Sequence, residues 1–431
     1  MNKTLAIALI ATITVVTAIL ATNIAFLIPI NQSSLENTNT YTSPVKPPYS
    51  DPRYCHNWLG IEVLKRLFNE REENTIVSPL SIYSALAMVY EASTDESREI
   101  LASLLCANNG LGEFYWENIA ELENKSKPAV LDISNSIWVD SELYKYVLEN
   151  YTDYVTRYYD AEITSIPLGN DPRILRESFK IINKWVENRT RGLIDKIIPD
   201  DYIPENPLAA IFINTVYLKA NWTIGFIEYG EKPFYTLDGV INVTMIGYDN
   251  MEIAKAVLYN WFKVVKIPLK TPELSYIILV PDKPEDIYRL IDSLDPRLLE
   301  DILADLEKRG QDVTKLLMPK LDLDTGIYSL KEILSDMGAK SLFEYIALWR
   351  MFDKEEFLRV AGPTYIDDVF HRVRFRADTS GIEAAAATAV TIVYTALIEG
   401  LEITIDKPFV FLVTSSNGLV IFIGVVVNPL G

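Results

Sequence analysis

Two histidines, two cysteines and one long uncharged stretch are the residues of this 431-residue chain whose types and spacing could carry chemistry. His56 and His371 are the only imidazoles available as a general base. No G-x-S-x-G elbow, H-E-x-x-H helix, Walker loop or G-x-G-x-x-G turn accompanies them. The chain is therefore read as a non-enzyme with no catalytic residue. Catalytic carboxylate pairs have no fixed sequence spacing, and among 59 Asp and Glu the ordinary role is a solvated surface charge. Cys55 and Cys106 have no second Cys or His at metal-ligand spacing, so no metal site is assigned. Two readings stay open for them: a disulfide, the usual state of a pair outside the cell, or two buried thiols.

The uncharged stretch follows Gly381 as GIEAAAATAVTIVYTALIEG, with no charge, Pro or Gly between Glu383 and Glu399. At period two, Ile382, Ala384, Ala386, Thr388, Val390, Ile392 and Tyr394 share a mostly apolar face, and Glu383, Thr391 and Thr395 lie on the other. That is the pattern of a strand half-buried in a sheet. Four Ala residues also suit a helix. Gly381 before them, and Thr388, Val390, Thr391, Ile392 and Val393 after them, favour the strand.

The elements that must position these residues show helical periodicity at Trp58–Asn69, Leu80–Ala92, Pro172–Thr190 and Ser329–Met337. Strand-like runs are Ala210–Leu218, Tyr276–Val280, Phe409–Thr414 and Leu419–Val427, the last two joined by an Asn417-Gly418 hairpin signal. No internal repeat is present. Helices come early and strands crowd the C-terminus, which predicts an α+β domain with large antiparallel sheets.

Composition bounds the partners. A formal charge of -19 and no Lys/Arg cluster interleaved with aromatics exclude nucleic acid as a partner. Only Gln32 and Gln311 represent a thermolabile side chain, a scarcity that fits a heat-adapted source as well as it fits compositional drift. From Leu5 to Ile30 the chain is uncharged and mostly apolar, long enough to span a bilayer, with Lys3 as the positive flank. Residues 1–30 are thus a membrane anchor or a cleaved secretory signal, and either reading puts the remainder outside the cell, secreted or held at the outer face of the membrane through residues 5–30. Residues 31–54, rich in Asn, Ser, Thr and Pro, are expected to be a disordered spacer before a domain spanning 55–431.

Several ordered motifs resemble one family. Asn74 to Ala87 reads NTIVSPLSIYSALA, in which Ser78-Pro79-Leu80-Ser81 looks like the serpin motif that opens the second helix beneath the main sheet. INKWVENRTRGLIDKIIP, ending at Pro199, is similar to the family's helix over that sheet and its exit. NTVYLKANW, from Asn214 to Trp222, resembles the strand that carries an Asn and a Trp behind the sheet opening. Met318–Leu323, Met337-Gly338, Lys407-Pro408-Phe409 and Gly424–Pro429 also match, so the resemblance runs from about residue 55 to 431.

The resemblance implies a serpin fold of three β-sheets and eight or nine helices, with an exposed reactive loop near the C-terminus. It implies a monomer without cofactors that traps a serine protease by inserting its cleaved loop into its own sheet. The hinge would be Gly381, Ile382, Glu383, Ala384, Ala385, Ala386, Ala387 and Thr388, the small side chains losing few rotamers as they slide between strands. Ser78, Asn214 and His371, with Ser81 as a weaker fourth, would form the hydrogen-bonded shutter, and Trp222 would mark the breach. As a nucleophile and base, Ser78 and His371 would lack an oxyanion motif. The reactive bond falls at Thr395-Ala396 counting forward from Gly381, at Leu397 counting back from Phe409, or outlying at Tyr394. None is basic, so a subtilisin-, elastase- or chymotrypsin-like pocket, small or apolar, fits better than a trypsin-like one. Two departures stand out: Thr379 where the family usually has Glu, and Ile382 where inhibitory members have Thr or Ser. A non-inhibitory serpin with a structural, binding or chaperone-like role is the alternative. If joined, Cys55 and Cys106 would tie the start of the first helix to the end of the third.

Overall fold

The first helix, α1 (Pro52–Arg71), starts where Asp51 accepts a hydrogen bond from the Arg53 N–H at 2.8 Å and Pro52 presets the first turn. It ends at Glu72 in a left-handed conformation. Helix α2 (Pro79–Ala92) uses the same device, with Ser78 as cap, and buries all but two of its residues. Helix α3 (Asp95–Leu105) ends on left-handed Cys106. The computed structural model describes residues 47–107, 110–169, 171–382 and 399–431. The folded unit thus reaches back past the expected boundary at residue 55: the Asp-Pro pair that composition assigns to the spacer is the cap of α1, and the Tyr49 hydroxyl donates to Asp295.

The described residues form about ten helices, against the eight or nine implied. The surplus comes from short, locally capped pieces such as Lys354–Val360, started by Asp353 accepting from the Glu356 N–H. The expected helix at Ser329–Met337 is four residues, Lys331–Leu334, followed by an irregular turn in which Gly338 sits at φ 96.

Three sheets form. The nine-stranded sheet holds the C-terminal hairpin, Phe409–Ser415 and Val420–Val426, in which every residue is buried and the turn closes on Gly418 at φ 82. Each such apolar side chain contributes about 1.5–3 kcal/mol when taken fully from water. A two-stranded sheet pairs Tyr328–Ser329 with Phe370–His371.

The six-stranded sheet positions the site. Its strands are β1 (Val130–Asp140), β2 (Ala161–Ile166), β3 (Ala210–Asn221), β4 (Leu321–Asp324), β5 (Arg374–Ala377) and β6 (Gly381–Ile382), in the order β4-β5-β6-β3-β1-β2. Alternation along β3 divides two cores. Val216, Leu218 and Ala220 face the main core, whereas Ile211 and Ile213 face a second cluster under helix α4 (Pro172–Arg189), with Phe179, Ile182 and Val186. The main sheet therefore lies as a layer between the bulk of the domain and α4.

Candidate functional site

The six-stranded sheet is not closed. Strand β3 is paired along its length with β1, from Val130 opposite Lys219 to Val139 opposite Ala210. On its other edge, among the described residues, it meets β6 alone, through Gly381 opposite Asn221 and Ile382 opposite Ala220. Below those two residues no strand among the described residues pairs with this edge of β3, and residues 210–219 border a seam between β3 and β5. At the lower end the seam widens to a cavity of about 1020 Å³. Its walls are residues 208–214 and 363–371, and its floor is Ser81, Ile82 and Leu86 of α2. A smaller void of about 30 Å³ continues upward between Asn214 and His371, roofed by Val186, Ile194 and Ile197.

The top of the seam is held by a turn at Asp378. Its carboxylate accepts from the Ser380 N–H at 2.7 Å, and its own N–H donates to the Gly381 carbonyl at 2.9 Å. Trp222 fastens this turn from β3: its indole N–H donates to the Asp378 carbonyl at 2.8 Å, and its backbone N–H to the Ser380 carbonyl at 3.0 Å. The ring stacks on Phe226, whose N–H reaches the Thr379 carbonyl at 2.7 Å. Where the family pattern would place a Glu, Thr379 thus contributes its backbone. Gly381 is required here for two reasons: its φ is 152, and a Cβ would sit 2.1 Å from the Ala220 carbonyl oxygen. Ile382, the apolar departure, is buried against the main core opposite Ala220, a setting that suits a β-branched side chain.

Deeper in the seam, Ser78, Ser81, Asn214 and His371 come together without forming one continuous latch. The Ser78 N–H donates to His371 Nε2 at 3.1 Å, and the Ser78 hydroxyl donates to the Ile421 carbonyl at 2.8 Å. The Ser81 hydroxyl donates to the Asn214 carbonyl at 3.2 Å. Asn214 turns the other way: its amide donates to Asn135 Oδ1 at 2.9 Å, and Asn135 donates to the Tyr159 carbonyl at 2.7 Å. The two walls carry separate anchors, and Asn214 Oδ1 is buried with no hydrogen-bond partner. Burial lowers the His371 pKa to about 4, so the imidazole is neutral and can accept from Ser78. The Ser78 hydroxyl also accepts from the Ser81 N–H at 3.2 Å, which makes it the cap of α2.

Two contributors escape sequence reasoning. Asn135 sits between Ser134 and Ser136 in the middle of β1, and nothing in its spacing marks it. Arg372 crosses the seam's outer face, with Nη1 2.6 Å from Asp195 Oδ1 in the segment after α4 and Nη2 2.7 Å from Asp324 Oδ2 on β4. The alternation of Arg372, Arg374 and Arg376 opposite Asp322 and Asp324 was a readable sign of it.

Cys55 and Cys106 are joined by a disulfide with Cα atoms 5.9 Å apart, linking the first turn of α1 to the end of α3. Glu383, Ala384, Ala385, Ala386, Ala387, Thr388, Tyr394, Thr395, Ala396 and Leu397 lie outside the described residues. The chain is described again from Glu399, and Leu401–Thr404 pairs in parallel with Gln311–Pro319 of the nine-stranded sheet. Among the described residues no cluster of His, Cys, Asp or Glu could hold a metal ion, and no helix is long and apolar enough to cross a membrane. Residues 5–30 are not among them.

Comparison with known proteins agrees with this geometry. A protein of Pyrobaculum aerophilum known as an uncharacterized serpin-like protein is 29% identical over 373 residues, covering 83% of this chain and 89% of its own. The structure of an Arabidopsis serpin in its native stressed conformation superposes with a TM-score of 0.72 at 24% identity, covering 88% of this chain and 99% of that one. Thyroxine-binding globulin in complex with thyroxine superposes with a TM-score of 0.74 at 19% identity, covering 88% and 99%. The family described as serpin (serine protease inhibitor) matches residues 56–429, and the chain belongs to the serpin family.

Proposed function

We propose that this serpin inhibits serine proteases as a suicide substrate. The observation that carries the reading is β6: Gly381 and Ile382 already stand as a strand between β3 and β5, at the head of a seam in which the described residues form no other strand. Continuing their antiparallel register down β3 sets Ala384 opposite Leu218, Ala386 opposite Val216 and Thr388 opposite Asn214. Ala384 and Ala386 then share the face that Leu218 and Val216 turn to the main core. Insertion of a serpin loop into its sheet is an established form of strand addition, and here the sequence of the loop fits the walls that would receive it.

In the proposed reaction the protease serine attacks the carbonyl carbon of Thr395. The bond to Ala396 breaks, the new amine leaves with the proton, and an acyl-ester remains. Insertion of residues 383–395 then carries the bound protease away before water can complete the cycle. Leu397 and Tyr394 are the alternative bait residues, and all three fit a small or apolar specificity pocket of subtilisin, elastase or chymotrypsin type. The partner is thus a serine protease met outside the cell by a monomer, with residues 1–30 supplying export or anchorage and 31–51 a spacer. Two Gln in 431 residues fit a heat-adapted source and compositional drift alike.

Mixing the protein with a subtilisin-like or chymotrypsin-like protease is expected to give a complex that survives boiling in detergent. N-terminal sequencing of the released peptide should begin at Ala396, or at Ile398 if Leu397 is the bait. Cleaved fragments alone, at every ratio, would refute inhibition. The second reading, a binding serpin, draws on the likeness to thyroxine-binding globulin. It predicts that cutting the loop leaves the melting temperature unchanged, whereas the inhibitor gains a strand and melts higher.

A further inference from the structure

Five tripeptides in the described domain have the form Asn-x-Ser/Thr: Asn124-Lys125-Ser126, Asn150-Tyr151-Thr152, Asn188-Arg189-Thr190, Asn221-Trp222-Thr223 and Asn242-Val243-Thr244. The asparagine of every one is exposed. Exposure is not the default for Asn in this fold. Of the twelve other described asparagines only Asn69, Asn206, Asn260 and Asn417 are exposed, and the rest include the buried Asn57, Asn135 and Asn214. The five sites fall on different elements: a helix end, a first helical turn, the last turn of α4, the end of β3 and a strand of the nine-stranded sheet. No shared structural duty explains why all five point outward.

The hydroxyl residue two positions on is buried in two of the five sites, and in three its hydroxyl has a main-chain carbonyl as partner. Ser126 and Thr190 are fully buried, and the Thr190 hydroxyl donates to the Val186 carbonyl at 2.9 Å. The Thr223 hydroxyl donates to the Pro268 carbonyl at 3.1 Å, and that of Thr152 lies 3.4 Å from the Leu148 carbonyl. The amide that would carry a bulky hydrophilic group has room for it, while at Thr152, Thr190 and Thr223 the hydroxyl by which such a tripeptide is recognised is bonded to a main-chain carbonyl. The Cys55–Cys106 disulfide is compatible with an oxidising compartment, where this modification occurs.

We propose that Asn124, Asn150, Asn188, Asn221 and Asn242 are acceptors of N-linked oligosaccharide, attached before the chain folds. The donor class is an oligosaccharide carried on a polyprenyl phosphate. Asn Nδ2 forms a bond to the anomeric carbon and gives up one proton, the bond from that carbon to the phosphate oxygen breaks, and the lipid phosphate leaves with the electron pair. Nothing is oxidised or reduced. The proposal rests on the export assigned to residues 1–30, because the donor is used on the outer side of a membrane.

The test takes the full chain from the cells that naturally make it, split into cytosolic and exterior fractions, and maps its tryptic peptides by mass before and after enzymatic glycan release in heavy-oxygen water. The expected result is that the exterior chain carries glycan on the five peptides, each converted to labelled Asp on release. Replacing the sites singly by Asn→Gln then removes one step at a time on a denaturing gel. Unmodified peptides in an exterior chain overturn the sites and leave export standing. Unmodified peptides in a chain found only in the cytosol overturn both. Offering donor and transferase to denatured and to refolded chain checks the order of events: equal labelling of the two would overturn attachment before folding.

Discussion

Phe409–Ser415 and Ala210–Asn221 are both interior strands rich in apolar residues, yet one is finished and the other is not. The first has a hydrogen-bonded neighbour on each side over its whole length, Val420–Val426 and Leu274–Pro281. The second has β1 on one side and, on the other, two residues of β6 and then a seam. Since a backbone hydrogen bond contributes about 0.5–1.5 kcal/mol net, a further strand along β3 and β5 would stabilise the domain by several such increments. The contrast locates the protein's reserve of stability in one sheet and its rigid frame in the other. It also explains why Asn214 Oδ1 is left without a partner on the seam wall.

The strongest way to break this comparison is to make the seam unfillable. Ala386→Arg should abolish the detergent-stable complex and turn the inhibitor into a substrate, because its guanidinium would enter the core opposite Val216 unpaired, at a cost of several kcal/mol. Ala387→Arg should be milder: its side chain would leave on the outer face opposite Thr215, displacing only the cover at Ile194 and Ile197. Equal loss in both variants, read as complex on a gel, would contradict the register.

The frame should fail differently. Replacing Cys55 and Cys106 together by Ser opens a loop of 51 residues and should lower unfolding stability by ~4 kcal/mol through loop-closure entropy. Urea denaturation is expected to report that loss while the number of protease molecules trapped per inhibitor stays the same. A change in trapping would mean that frame and seam are coupled.

Each region also owns one buried histidine. His56 lies in α1 beside Asn57, which holds the C-terminal hairpin through the Gly418 carbonyl and the Val420 N–H. His371 lines the seam. Burial lowers both pKa values to about 4, below the 6.5 of an exposed imidazole. Above pH 6.5 neither folded nor unfolded chain binds these protons and stability is unaffected. Between 6.5 and 4 the unfolded chain binds them first, so stability falls by roughly 3 kcal/mol for each histidine. His371→Asn should remove about half of that slope in urea titrations at pH 7, 5.5 and 4.5. Protonated His371 can no longer accept from Ser78, so acid should also speed uptake of a synthetic loop peptide into the seam. His56→Asn should leave that rate alone.

The smallest effect concerns Arg372. Because Asp195 is largely exposed, Asp195→Asn should cost about 0.5 kcal/mol and speed peptide uptake roughly twofold, since an entering strand passes beneath the segment that this pair holds down. The difference should vanish in high salt, where the wild-type pair is already screened.

How much of this was legible in the sequence follows from what leaves a periodic trace. Helix α4 and the hairpin at Asn417-Gly418 are strongly patterned and form within a residue or two of expectation. Helix α1 begins earlier than its apolar periodicity because a cap is a matter of two residues, Asp51 and Pro52, and has no period. The grouping of Ser78, Ser81, Asn214 and His371 came from resemblance, and their wiring did not follow from it. Asn214 bonds Asn135 on its own wall, because an open seam separates it from His371. At Thr379, where the family usually has Glu, it is the backbone carbonyl that is engaged, by the Phe226 N–H beside the turn that Asp378 and Trp222 hold.

The chain enters the loop from one sheet at Ile382 and re-enters a different sheet at Leu401. While the peptide between them is whole, it is a tether with both ends made fast, and its length limits how far the hinge can descend. In the proposed inhibitory cycle, cutting it would free one end, and descent to a more stable state would have no return path. Used this way, the molecule behaves as a consumable counter, in which each copy records one encounter and is spent. The capacity of such a defence is set by how many copies are supplied, and not by how fast any one of them works.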